Sequence, residues 1–238
     1  MKNRITCVIP TSPIPSHPSM RLIDGAVESI RKHIPDIPIL VQVDGLREEN
    51  ANRREQYEEY KRVLPVKALQ WGNTKIHFFS EYKHQAEMMR ETFDEIDTPL
   101  LFYLEHDWEI LDLPIDWAGI VNAVECKELN LVRLYRWDAI VPGHEYLMNG
   151  ESVYHGVPVI RTVQWSGHPH VASVEFYEDL IAQFRVGCRT LIEEFIYGPV
   201  VNAPWDEYRC AIYNPFGGMR RIQHTDGREA DPKFDAQF

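Results

Sequence analysis

Cysteine is scarce in this chain: Cys7, Cys126, Cys188 and Cys210 are widely scattered, and no two form a CxxC pair. That spacing excludes a zinc knuckle or a disulfide framework and leaves reduced thiols as the expectation. A surplus of basic charge is missing too. The 25 Lys and Arg stand against 36 Asp and Glu, a net charge of −11, which excludes dependence on a broad basic face for gripping phosphate backbones. Local basic groups remain, at Arg47, Arg53 and Arg54 and again at Arg220, Arg221 and Arg228. No apolar run reaches the ~20 residues of a membrane span. Met1-Lys2-Asn3-Arg4 leads straight into a short apolar stretch without a signal core, so a cytoplasmic protein is expected. Absent as well are GxGxxG, the P-loop pattern GxxxxGK and the GxSxG elbow, which disfavours a dinucleotide oxidoreductase, a P-loop enzyme and an α/β-hydrolase.

What is present is a regular alternation. Residues 5–10 (ITCVIP) are short, apolar and β-branched, as expected of a buried strand. The proline-rich run from Thr11 to Pro18 forces an exposed loop. Ser19 is placed to cap a helix whose apolar residues Ile23, Ala26, Val27 and Ile30 follow a 3.6-residue period. Residues 39–43 predict a second strand, ended by the Asp44-Gly45 turn signal. Residues 48–63, charged with few apolar anchors, predict a solvated surface helix. A strand over 76–79, a helix over 84–93 and a strongly apolar strand over 100–104 complete the first half.

Four rounds of strand and helix predict a mainly parallel sheet covered by helices on both faces. Ligands of such sheets bind beyond the carboxyl ends of the strands, where Thr11, Asp44 and the segment from Glu105 to Asp107 fall. The second half is less regular, with helices expected over 117–126, 176–184 and 191–196 and strands over 131–135, 157–163 and 211–213. No internal repeat or linker divides the chain, so one domain over 1–238 is expected, with a polar tail over 226–238.

The sharpest chemical feature is Glu105-His106-Asp107, which directly follows an apolar strand. In extended backbone Glu105 and Asp107 point one way and His106 the other, with Glu109 rejoining the acids if the geometry continues. Two carboxylates at a strand's end suit a hard divalent cation bridging two phosphates. Asp44 reads equally as a plain Asp-Gly turn or as a ligand contact. His168 and His170 around Pro169 read as metal ligands or as exposed histidines of a rigid loop. Thr190-Leu191-Ile192-Glu193 reads as a capping box, which gives Glu193 a structural role.

A strand, a Pro-Thr loop, a strand ending in Asp and an apolar strand ending in acid-x-acid together resemble the GT-A glycosyltransferases, closest to their family-2-like group. Their Asp-x-Asp hallmark is here Glu105-His106-Asp107. The resemblance covers the first half in good order and the second loosely. It implies a Rossmann-like GT-A domain whose residues 1–110 hold a nucleotide sugar and whose residues 111–225 face the acceptor. It further implies that Asp107 binds Mn²⁺ or Mg²⁺ on the diphosphate and that Glu105 faces the ribose or donor sugar. Pro10 and Thr11 would border the nucleoside, and Asp44 would contact base or ribose. A late histidine, His224, would be a further metal ligand, with Arg221 and its neighbours closing on phosphate.

If the anomeric centre inverts, an acid near the start of a late helix would act as base. With Glu193 assigned to the cap, Glu194 is the better candidate of the two, with Asp206 and Glu207 as reserves. UDP is the donor nucleotide implied by analogy, and inverting chemistry follows from the family-2-like resemblance. The acceptor stays open among a glycan, a protein side chain, a small metabolite and a hydroxylated nucleic-acid base, the last disfavoured by the net charge. The alternatives are a nucleotidyltransferase of related fold, disfavoured because no Lys or Arg lies between Pro10 and Ser19, and a non-catalytic sugar-nucleotide-binding module.

Overall fold

A computed structural model describes Met1 and residues 3–225. The expected polar tail, with Arg228, lies outside the described residues. Strand β1 (Ile5–Thr11) is buried at every position. Its side chains alternate between two cores: Ile5, Cys7 and Ile9 face one, Val8 the other. Strand β4 (Leu100–Tyr103) does the same, with Leu100 and Phe102 on the first side and Leu101 and Tyr103 on the second. A strand apolar on both faces must be covered twice, which is why the molecule has helices on either side of the sheet.

Helix α1 (Arg21–His33) lays Ile23, Ala26, Val27 and Ile30 on the first face. Burial of each large apolar side chain is worth roughly 1.5–3 kcal/mol, so this stripe, not a cap, defines the helix. Met20 occupies the N-cap without a side-chain bond, and Ser19, expected there, instead accepts from Arg21 N at 3.3 Å.

The charged segment after Asp44 also differs from expectation. A 3-10 turn (Glu48–Arg53) leads into α2 (Arg54–Trp71), which runs on through Pro65. An interior proline costs about 3 kcal/mol. The buried face of Tyr57, Tyr60, Leu64 and Ala68 offsets it, so α2 is anchored in the core. The second face is covered by α3 (His84–Thr92), α5 (Val174–Ala182) and α6 (Ile192–Asn202), through residues such as Met89, Leu180 and Ile196.

Among the described residues the remaining strands are β2 (Ile39–Val43), β3 (Thr74–Phe78), β5 (Trp108–Ile110), β6 (Leu131–Arg133), β7 (Met148–Tyr154), β8 (Val157–Thr162), β9 (His170–Ser173), β10 (Cys210–Tyr213) and β11 (Ile222–His224). Helices α4 (Trp117–Glu125) and α7 (Trp205–Tyr208) complete the set. The large sheet has the order β3-β2-β1-β4-β9-β6-β10-β8-β7. All its strands except β8 and β9 run the same way, giving the mainly parallel sheet that was expected. From β1 the chain builds outward through β2 and β3, then returns to place β4 on the other flank of β1. The reversal opens a crevice beyond the carboxyl ends of β1 and β4.

Past β4 the backbone does not stay extended. It turns at His106 and Asp107, with Trp108 N donating to Glu105 O at 3.1 Å. Glu109 therefore does not rejoin the acids, and Gln223 Nε2 donates to it at 2.8 Å instead.

Candidate active site

The crevice holds two connected cavities with Gln85, Glu105 and Leu191 in the walls of both. The narrower, about 210 Å³, lies against the loop after β1, with Pro10, Thr11, Asp44, Glu105 and Asp107 in its lining. Five of the residues singled out in the sequence thus meet at one place. The wider, about 720 Å³, carries Glu105, Glu193, His168 and His224 along with Trp108, Tyr135 and Trp137.

Asp44 is buried, and its carboxylate is almost fully used by the backbone. Gly45 N and Lys83 N donate to Oδ1 at 2.8 and 2.7 Å, and His84 N donates to Oδ2 at 3.1 Å. Burial pushes this carboxyl up, while the three N–H groups pull against it. The carboxylate straps the start of α3 to the end of β2. Gly45 is required in the strap, because a Cβ there would stand 2.1 Å from the Glu81 carbonyl carbon. Thr11 is also buried, with its hydroxyl 3.2 Å from Tyr60 Oη. His106 turns back to the loop, its Nδ1 donating to Pro10 O at 3.2 Å.

Glu105 accepts from Gln85 Nε2 at 2.6 Å. Burial first, then the charges of Asp107 and Glu193, raise its carboxyl to about 8 against the Gln85 bond. Asp107 behaves oppositely. Burial would raise it, but the His224 hydrogen bond and the nearby His106 and His224 outweigh that and hold it below the usual carboxylate range. Its Oδ2 lies 3.1 Å from His224 Nε2. His224 arrives from far along the chain because β11 pairs antiparallel with β5, setting His224 opposite Trp108. Thr225 then closes the corner, its N donating to Asp107 O at 2.7 Å.

Among the described residues no three His, Cys, Asp or Glu groups stand close enough to hold a metal by themselves. Asp107 Oδ1 is nevertheless buried without a hydrogen-bond partner, next to the imidazole of His224. One carboxylate and one imidazole, with the other positions left to phosphate and water, fit a hard divalent cation on a diphosphate. On this observation the two residues suit the implied ion.

The start of α6 departs from the expected capping box. Leu191 is the N-cap and makes no side-chain bond. Thr190 Oγ1 donates to Glu194 Oε2 at 3.0 Å, which keeps Glu194 out of the lining of both cavities. Glu193, given a structural role in the sequence, faces the wider cavity and accepts from Gly167 N at 2.8 Å. It is exposed as a residue, yet burial around its carboxyl raises it above the ordinary value, opposed by the Gly167 bond and by Arg133. Arg221 is not at the site either. It is buried elsewhere and donates to the carbonyls of Pro114, Gly218 and Arg220.

The histidine loop is not exposed. His170 is buried and stacked on Tyr103, with its ring nitrogens engaged by His168 O and Tyr177 Oη. His168 lines the wider cavity and is kept neutral by burial and by Arg133 and Arg136. Sequence reasoning passed over Gln85, Arg133, Arg136, Trp137 and His84. The signal available was Arg133, a charge inside an otherwise apolar strand.

No protein-family profile matches the chain, and no curated protein matches its sequence. Its structure does have likenesses. It superposes on GalNAc-T7 crystallised with UDP, GalNAc and Mn²⁺ at a TM-score of 0.55 and 12% identity, covering 93% of this chain and 43% of that one. It superposes on TarS of S. aureus at 0.55 and 10%, covering 94% and 37%. A UDP-glucose pyrophosphorylase complexed with UDP-glucose gives 0.53 and 11%, covering 90% and 91%. The chain thus spans less than half the length of the first two. At such identities the likeness is one of fold alone, a GT-A-like α/β fold common to these proteins. No helix of the described residues is long and apolar enough to cross a membrane.

Proposed function

We propose that this protein is a metal-dependent, inverting glycosyltransferase that moves a sugar from a nucleoside diphosphate, UDP in the first instance, to an acceptor hydroxyl. The observation that carries this reading is the pairing of Asp107 with His224 between a narrow cavity and a wider one that bears Glu193. The division of labour follows. Residues 1–110 hold the nucleotide and 111–225 supply most of the acceptor side.

In this reading Thr11 and Asp44 shape the wall against which the nucleoside lies, and Glu105 meets a hydroxyl of the ribose or donor sugar. Asp107 and His224 would hold Mn²⁺ or Mg²⁺, which when bound neutralises charge on the diphosphate. Glu193 takes the proton of the acceptor hydroxyl. The acceptor oxygen bonds to the anomeric carbon as the bond from that carbon to the phosphate oxygen breaks, and the electron pair leaves on the diphosphate. A carboxylate raised by burial and still open to the wider cavity suits that transfer better than Glu194, which is tied to Thr190.

The near-complete mutual coverage with the pyrophosphorylase favours one second reading, nucleotidyl transfer on the same fold. The two differ in product: nucleoside diphosphate for glycosyl transfer, pyrophosphate for nucleotidyl transfer. The first test is thermal stabilisation by UDP, GDP, CMP and dTDP with and without Mn²⁺. A ligand at 100 times its Kd adds about 2.7 kcal/mol. Metal-dependent stabilisation by one nucleoside diphosphate, lost in Asp107→Ala, is the expected result. No response to any of them would overturn the reading.

A further inference from the structure

The wider cavity contains a charge without a counter-charge. Arg133 is 1% exposed in an otherwise apolar strand, and its guanidinium borders the cavity. Its Nη2 donates to the neutral Gln164 Oε1 at 2.7 Å, while Nε is buried with no hydrogen-bond partner. Among the described residues it has no ion pair within 4 Å. Glu193 is close enough to feel its charge but bonds Gly167 instead. A buried cation is strongly destabilising unless an anion meets it, so this position is unusual for a residue with only a packing role.

The surroundings add a second requirement. Arg136 packs over the Trp137 ring at 4.6 Å, and Trp137 and Tyr135 stand edge-on to each other at 5.1 Å on the same wall. His168, held neutral, touches Trp108 at 5.0 Å and Trp137 at 5.4 Å, and its Nδ1 is buried without a partner. Flat apolar faces next to a guanidinium select a ligand with a ring and an anion rather than a neutral polyol.

We propose that the acceptor bound in the wider cavity is an anionic molecule with a flat ring, its phosphate or carboxylate set on Arg133 and its ring against the Trp137 and Tyr135 wall, which brings its hydroxyl towards Glu193. This rests on the glycosyltransferase reading above and narrows it, because a neutral glycan satisfies neither feature. The overall charge of −11 favours a small anion over a long polyanion.

The test uses the full chain with Mn²⁺ and the stabilising nucleoside diphosphate already bound, and phenyl phosphate, benzyl alcohol and glycerol phosphate as probes, followed by calorimetry. Phenyl phosphate is expected to bind at least tenfold tighter than either of the other two. Arg133→Met is expected to weaken it at least tenfold and Arg133→Lys less, with nucleotide affinity and melting temperature the control that each variant is folded. Binding of phenyl phosphate to the nucleotide-free protein but not to the nucleotide-bound one would overturn the proposal, since the anion site would then belong to the donor. Binding unchanged in a folded Arg133→Met variant, or equal binding of benzyl alcohol, would overturn it as well. Failure of the nucleotide itself to bind would count against the glycosyltransferase reading instead, so the two failures are distinguishable.

Discussion

Asp44 and Asp107 sit at the same end of the sheet, each just beyond a strand and each in the lining of the narrow cavity, yet their carboxylates are used in opposite ways. Asp44 gives its oxygens to three backbone N–H groups, which ties β2 to the start of α3. Asp107 gives one oxygen to a distant histidine and leaves the other without a hydrogen-bond partner. A buried carboxylate whose hydrogen bonds close within the protein holds the fold, and one left partly open has capacity for a ligand. The same contrast separates Glu194, bonded to Thr190 just before the helix, from Glu193, which is presented to the wider cavity.

These contrasts can be broken by substitution, and the largest effect is expected at the base. Glu193→Gln should lower the rate of sugar transfer, or of donor hydrolysis where no acceptor is supplied, by about 10²–10⁴-fold. Glu194→Gln should change it less than about threefold. Equal losses in the two variants would remove the distinction between them. Next comes Asp107→Ala, which should weaken Mn²⁺-dependent nucleotide binding by about 100-fold with little change in melting temperature. Calorimetry with and without EDTA separates the metal-dependent part.

Asp44→Ala should show the converse, a loss of stability. Three N–H groups lose their acceptor, at roughly 1 kcal/mol or more each, so about 3 kcal/mol in all. For a chain of this size that is a fall of roughly 6–12 °C in Tm. A stable Asp44→Ala variant that had lost nucleotide binding would make Asp44 a ligand contact rather than a strap.

The smallest effect is a slope with pH. Glu105 titrates near 8 when folded and near 4.5 when unfolded, so the folded state holds more protons between those values. Its contribution to stability is therefore fully present below pH 4.5 and lost as pH rises through 8. Buried neutral histidines act the other way. His17, at about 3, and His84 and His170, at about 4, lose stability as pH falls below their ordinary 6.5. In the unfolded chain these histidines, and His168, are still partly protonated at 6.5, so their opposing slope fades only above about 7.5. In the window from about 7.5 to 8 wild type should lose stability with rising pH, and Glu105→Gln should flatten the curve. A wild-type curve already flat in that window would contradict the raised Glu105 carboxyl.

Local chemistry in the sequence determined the strands and helices of the first half, the mainly parallel sheet, and the gathering of Pro10, Thr11, Asp44, Glu105 and Asp107 at one edge of it. Each of these follows from short-range pattern: short continuous apolar runs that must be buried on both faces, and polar residues where those runs stop. Short-range pattern could not tell that α2 would run through Pro65, because the anchors that offset the proline are tertiary contacts of Tyr57, Tyr60 and Leu64. Nor could it find the β5–β11 pairing that sets His224 beside Asp107 across 117 positions. The exchange of roles between Glu193 and Glu194 belongs to the same class. Adjacent side chains on a helix diverge by about 100°, and only the packing of α6 against Gly167 and Gln85 decided which of them would face the cleft.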